Sequence, residues 1–122
     1  MSEKPRFLQM IPVLPSADIK RDVAWYAQHT GFKWSFGDDM YCGLIRDGLE
    51  IHLQWHADNE DDPLLGGSVI KLFVNTIEPY FKEFVERGTV QADRLRENTP
   101  WGTHEFGFFD PNKNAIFLVQ DA

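Results

Sequence analysis

The first apolar stretch of the chain runs from Phe7 to Leu14, is interrupted by Gln9 and Pro12, and stops at Pro15. It predicts a strand. Proline has no N–H to give to a ladder, so Pro12 places that strand at a sheet edge or beside a bulge. Asp18 then stands where an N-cap should, ahead of Ile19, Val23, Tyr26 and Ala27 on one helical stripe. Gly31 supplies the left-handed residue that ends such a helix, which is predicted over Ile19 to about Thr30. The period then changes. Phe32 to Phe36, Met40 to Arg46 and Leu49 to His56 read as three short antiparallel strands, joined by turns at Gly37-Asp38-Asp39 and Asp47-Gly48. Asp-Gly between two such runs is the strongest hairpin signal in the chain. Ala57 to Gly67 is a loop carrying Asp58, Glu60, Asp61 and Asp62.

The same order follows a second time. Val69 to Val74 is a strand, and Asn75 or Thr76 caps a helix with Ile77, Tyr80, Phe81, Phe84 and Val85 on one face. Gly88 closes that helix, and strands are predicted near Asp93 to Arg96, His104 to Phe109 and Ala115 to Gln120. The pattern is one βαβββ unit used twice, in halves of about 5–57 and 68–121, with a longer insertion in the second half around Asn98 to Thr103. The expectation is an α+β fold in one domain spanning 1–122.

Composition narrows the function classes. With 43% hydrophobic and 25% charged residues the chain is globular, and no 18-residue apolar run or signal-peptide pattern is present, so a cytoplasmic protein without a membrane partner is expected. A single cysteine, Cys42, excludes an internal disulfide and a multi-cysteine zinc site. The net charge of -7 argues against a nucleic-acid surface and favours cationic partners. Aromatic residues make up 14% of the chain, more than a modest core needs. Either the core and a dimer interface use large side chains, or a cleft stacks a flat ligand.

Catalytic patterns are sparse. There is no nucleophile elbow, phosphate-binding glycine loop or dinucleotide fingerprint. Cys42 lies in a predicted strand without a basic neighbour, and Asp38-Asp39 and Asp61-Asp62 fall in turns. His52 and His56 have the spacing of a helical zinc pair, but the alternation of Leu49, Ile51, Leu53 and Trp55 puts them on a strand, about 13 Å apart. Glu50 and His52 share a face, so a metal site completed by His104 or Glu105 stays open, against the simpler reading of a solvated strand face formed by Glu50, His52, Gln54 and His56.

Four further segments carry a resemblance. They are Ile11 to Asp18; Trp25-Tyr26 followed by Gly31-Phe32; Pro100-Trp101-Gly102-Thr103; and Asp110-Pro111-Asn112-Lys113-Asn114. In this order, over nearly the whole chain, they resemble the vicinal oxygen chelate superfamily of glyoxalase I, extradiol dioxygenases, fosfomycin-resistance enzymes and bleomycin-resistance proteins, most nearly the last. His29-Thr30 stand where the pattern is more apolar, and Lys113 stands where it usually has glycine. A locally altered turn is expected there, with Asn114 able to take a positive φ.

The resemblance implies a cupped mixed sheet, a homodimer that often exchanges its N-terminal strand, and a ligand cleft at the dimer interface. The metal-ligand positions of the enzymatic branches would be Ile11, His52, Val69 and Phe117. Three of these are hydrocarbon, so neither a metal nor another cofactor is expected. Phe36, Asp38 and Trp101 match the drug-binding pattern. Trp34, on Phe36's face by strand alternation, joins them in the expected ligand-binding set, with His52 and Trp55. The implied function is non-catalytic sequestration of a bleomycin-like or other flat cationic compound in an aromatic, acidic cleft. The alternatives are a metal-dependent lyase, isomerase or dioxygenase using Glu50 and His52, or a member of the same fold binding some other partner.

Overall fold

A computed structural model describes residues 4–122. Strand β1 (Val13–Ser16) leads into α1 (Ile19–His29). Asp18 caps the helix, its side chain accepting from the Arg21 N–H at 3.0 Å. At the other end the N–H groups of Thr30 and Gly31 both reach the Tyr26 carbonyl, and Gly31 takes a φ of 78° that a side chain would resist. The first strand is shorter and later than the apolar run predicts. Residues 4–12 have no regular structure, Phe7, Leu8 and Met10 stand fully in solvent, and Pro15 lies inside the strand. Only an edge strand tolerates that, and β1 is one, paired on a single side with β4.

Strands β2 (Lys33–Gly37), β3 (Tyr41–Arg46) and β4 (Leu49–Trp55) complete a sheet of order β1-β4-β3-β2, with β1 parallel to β4 and the other pairs antiparallel. The turn between β3 and β4 holds Asp47 and Gly48 at φ 53° and 78°, the double left-handed step of a tight hairpin. Alternation sends Cys42, Leu44, Ile51 and Leu53 onto α1, where they form a core with Leu14, Ile19, Tyr26 and Phe32. Their alternates Tyr41, Gly43, Glu50 and His52 lie on the opposite, open face.

The second half contains β5 (Val69–Phe73), α2 (Ile77–Glu86), β6 (Thr103–Phe109) and β7 (Ala115–Asp121), in a sheet of order β5-β7-β6. Ile77, Phe84, Phe106 and Leu118 form its core. The chain therefore has two mixed sheets, of four and three strands, one from each half. The strand expected at Asp93 to Arg96 contracts to one bridge, Arg96 to Glu105. Its residues Asp93, Arg94 and Arg96 are exposed, and only Leu95 packs inward, too little apolar surface to hold a strand on the edge. Thr76 is the N-cap of α2 but makes no side-chain cap; Gln120 Oε1 takes the Ile77 N–H at 2.8 Å instead.

The Asp110–Asn114 turn docks on the start of α1. Asn112 Nδ2 donates to Asp22 Oδ2 at 2.6 Å, and Asn112 Oδ1 accepts from the Ala17 N–H at 3.0 Å. Asn114 Nδ2 reaches the Pro15 carbonyl at 3.1 Å, and the Tyr26 hydroxyl donates to Asp110 Oδ2 at 2.6 Å. Asp22 and Tyr26 are entirely buried. Lys113 itself takes the positive φ, 65°, rather than Asn114, whose side chain is committed to Pro15 and Asp110. A second tie is Arg46, which forks onto Glu83 of α2 at 2.8 and 2.7 Å while donating to the Thr30 carbonyl. That guanidinium holds the Glu83 carboxyl below its usual range. Among the described residues no helix is long and apolar enough to cross a membrane.

Candidate functional site

The open face of the first sheet is built around a missing side chain. Gly43 lies opposite His52 on β4 and Phe36 on β2, and the Phe36 ring covers it so closely that any Cβ there would overlap the ring. Phe36 meets the His52 imidazole edge-on, with centroids 5.1 Å apart and an interplanar angle of 80°. The imidazole is held at both ends: the Tyr41 hydroxyl lies 2.7 Å from Nδ1, and Glu50 Oε2 lies 3.0 Å from Nε2. Phe36, Tyr41, His52 and Glu50 thus form one continuous patch, with Phe36 43% exposed at its outer edge.

The second sheet repeats the device. Phe117 covers Gly107, its neighbour across β6, and Val69, Phe73 and Phe109 are exposed on the same face. Trp101, just before β6, is half exposed and anchored: its Nε1 donates to Glu105 Oε2 at 3.2 Å, and the Arg96 guanidinium sits 5.0 Å over the ring. Glu105 is buried and also accepts from Thr103 Oγ1 at 2.9 Å.

The six residues expected to bind ligand do not converge. Phe36 and His52 meet. Trp34 does not join them, because the β2–β3 register slips between Trp34 and Phe36, and the bulge sends the two rings to opposite faces. Trp34 pairs with core-facing Leu44 and lines a hollow with Ile19, Lys20, Val23, Asp38 and Asp39. Asp38 shapes the β2–β3 turn, accepting from the N–H groups of Met40 and Tyr41 at 2.9 and 3.2 Å. Trp55 packs against the first core, and Trp101 belongs to the second sheet. Tyr41 and Glu105 lie outside the expected ligand-binding set. Tyr41 could have been found from its parity with Gly43, whereas nothing in the sequence couples Glu105 to Trp101.

A metal does not fit the expected positions. Both nitrogens of His52 are engaged. Its neighbour across β1 is Val13, and the residue across β5 from Phe117 is Lys71, a cation. His104 Nδ1 accepts from the Asn98 N–H, and Glu105 holds Trp101, so neither completes a site with Glu50 and His52. Among the described residues no three His, Cys, Asp or Glu side chains gather to hold a metal ion. His56 instead pairs with Asp62 at 2.7 Å, and that hydrogen bond keeps the Asp62 carboxyl below its ordinary range. Burial pushes the Cys42 thiol up, away from the thiolate a nucleophile needs.

No family model matches the chain. It is similar to a bleomycin resistance protein of Geobacillus stearothermophilus, 24% identical over an alignment of 127 positions, gaps included, that covers 93% of this chain and 96% of that one. Among solved structures it resembles a bleomycin-binding protein complexed with bleomycin, with a TM-score of 0.76, 24% identity, and coverage of 95% of this chain and 100% of that one. A glyoxalase-related enzyme from Clostridium phytofermentans matches equally well in backbone, with a TM-score of 0.76 at 15% identity, over 99% of this chain and 100% of that one. The chain has the fold these proteins share, and that fold carries both binding and enzymatic members.

Proposed function

We propose that this chain is a non-catalytic binding protein, one domain of two repeated halves, that sequesters a flat cationic compound of the bleomycin kind in the cytoplasm. The observation that carries this reading is the pair of open sheet faces, each with a ring laid over a glycine and aromatic side chains left in solvent. Such surfaces suit stacking, not bond-making. The engaged imidazole of His52 and the cation Lys71, where a metal enzyme needs lone pairs, weigh the same way. The similarity to a bleomycin resistance protein and to a bleomycin-binding protein supports the ligand class.

The cleft is completed by a second copy. Neither open face alone encloses a ligand, but Phe36 and His52 from one chain and Trp101 from another would form two walls. Within one chain Glu50 and Lys71 line a single hollow between β4 and β5, bringing opposite charges to it. The exposed arm of residues 4–12, carrying Phe7, Leu8 and Met10, is apolar chain for a partner to cover. Trp34, Asp38 and Trp55 act from outside these walls, Trp55 as the core support beneath β4. Each aromatic contact contributes about 1 kcal/mol to a flat heterocycle, and the net charge of -7 speeds the approach of a cation.

A tryptophan-fluorescence titration with metal-free bleomycin, at low and at moderate salt, tests the reading. Saturable quenching at one ligand per chain that weakens with salt is expected, and Trp101→Ala should weaken binding about tenfold. No change up to high micromolar ligand would retire the drug as ligand. Sedimentation at micromolar concentration tests the dimer.

A further inference from the structure

The two halves of the chain leave a hollow of about 730 Å³ between β4 and β5. Met10 and Pro12 of the arm, Leu49 of β4 and Phe73 of β5 give it an apolar wall. Two charges of opposite sign line it, Glu50 from β4 and Lys71 from β5, and they do not pair with one another. Glu50 gives one oxygen, Oε2, to His52 at 3.0 Å and keeps Oε1 open. The Lys71 ammonium makes no ion pair or hydrogen bond among the described residues. Each charge is anchored on its own strand, and the strands belong to different sheets, so the two stay apart with apolar surface between them. Strand edges also lie open along the hollow. β1 pairs with β4 only from His52 onward, and Pro12, just ahead of β1, has no N–H to give. β5 pairs with β7 alone, so its outer edge has no neighbour. No backbone hydrogen bond among the described residues joins β5 to β4 or to the arm.

We propose that this hollow binds a short peptide with free ends, its carboxylate at Lys71, its ammonium at Glu50 and an apolar side chain against Leu49 and Phe73. An extended peptide brings the N–H and C=O groups that open strand edges lack, as when a strand is added to a sheet. The charges select for it. A compound with a single charge satisfies one group and is repelled by the other, whereas a zwitterion satisfies both. The arm of a second copy is a poorer occupant: from Lys4 to Pro12 it carries the cations Lys4 and Arg6 and no acid to answer Lys71. The site goes beyond sequestration, which uses Phe36, His52 and Trp101, and stands or falls apart from it.

Calorimetric titration with L-leucyl-L-phenylalanine and with its C-terminal amide, at pH 7 and low salt, tests the site. The wild-type chain should bind the free acid about fivefold more tightly than the amide, the upper worth of one exposed ion pair. Lys71→Met should bind the two alike; Lys71 is exposed and bonds to nothing, so that chain keeps its fold. Acetylating the peptide's ammonium should weaken binding to the wild-type chain by a similar factor and leave binding to Glu50→Gln unchanged. Ionisation of the peptides is the same for every protein compared, so it cancels from these ratios. A wild-type chain that binds acid and amide alike, or a preference that survives in Lys71→Met, overturns the proposal. So does the absence of peptide binding up to millimolar concentration, which is the outcome if a second copy fills the hollow. Quenching by metal-free bleomycin without peptide binding leaves sequestration standing, and the reverse retires sequestration alone.

Discussion

Replacing Tyr26 with phenylalanine removes one oxygen from the seam between the two halves, and its cost can be worked out from the hydrogen bonds that remain. The Tyr26 hydroxyl donates to Asp110 Oδ2 at 2.6 Å with no part of the side chain in solvent. Asp110 keeps three other donors: Asn114 Nδ2 on the same oxygen, and the N–H groups of Asn112 and Asn114 on Oδ1. The carboxylate therefore stays solvated by protein, and the loss should be about 2 kcal/mol, within the range for a hydrogen bond to a charged group. At about 2.1 cal/mol/K per residue, an unfolding entropy for a chain of this length turns that into a fall in Tm of roughly 8 °C. The phenol adds a pH signature. Burial first, and then the Asp110 charge, hold its pKa far above the ordinary value of 10.0. The folded chain keeps the proton where the unfolded chain gives it up, so this stabilisation is complete below pH 10 and declines above it by about 1.4 kcal/mol per pH unit. The variant has no such proton. Urea unfolding followed by circular dichroism should therefore show the difference shrinking from about 2 kcal/mol at pH 7 to about 0.6 kcal/mol at pH 11. A gap that stays constant over that range, or one near zero at pH 7, would refute the reasoning.

Two more outcomes follow from single backbone positions. Gly43→Ala puts a methyl group where the Phe36 ring lies; because that ring is nearly half exposed on an edge strand, it should swing away, lowering stability by no more than about 1 kcal/mol while weakening metal-free bleomycin about tenfold in the same fluorescence titration. Lys113→Gly relieves the φ of 65° at an exposed turn position, and should raise stability by about 0.5–1 kcal/mol in thermal unfolding.

Local chemistry was readable wherever the chain answers to its nearest neighbours. Asp18, Gly31 and the Asp47-Gly48 turn behave as their side chains dictate, and the two helices and the hairpin β3–β4 follow. What escaped were features decided across the sheet. The slip between Trp34 and Phe36 depends on how β2 seats against β3, and no residue type announces it. The first strand starts later than the apolar run from Phe7 predicts, because Phe7, Leu8 and Met10 find no partner strand among the described residues. At the site, the Gly43 gap and the Tyr41–His52–Glu50 chain depend on β3 facing β4 in one register; alternation gave the shared face of Glu50 and His52, but not the partner across it. In the Asp110–Asn114 turn the sequence leaves the left-handed position open to Asn114, the better residue for it in isolation; Lys113 takes it because Asn114 is held by Pro15 and Asp110 in the fold.

The docking of that turn on α1 also sets a schedule. Asp22 finds Ser16 and Arg21 close by in sequence, with Asn112 joining from 90 residues on, but the only group that takes the Tyr26 hydroxyl proton, Asp110, lies 84 residues further on. At about 5–20 residues per second, a ribosome takes on the order of 5 to 20 s to deliver them. Through that interval the nascent first half holds a phenol meant for a dry seam, and burying it unpaired is unfavourable. The first four strands and α1 therefore cannot reach their final packing as they emerge. The two halves close together late, once Asn112 and Asn114 have left the exit tunnel, and a chain truncated before them should persist as an open, protease-sensitive product rather than as a functional half.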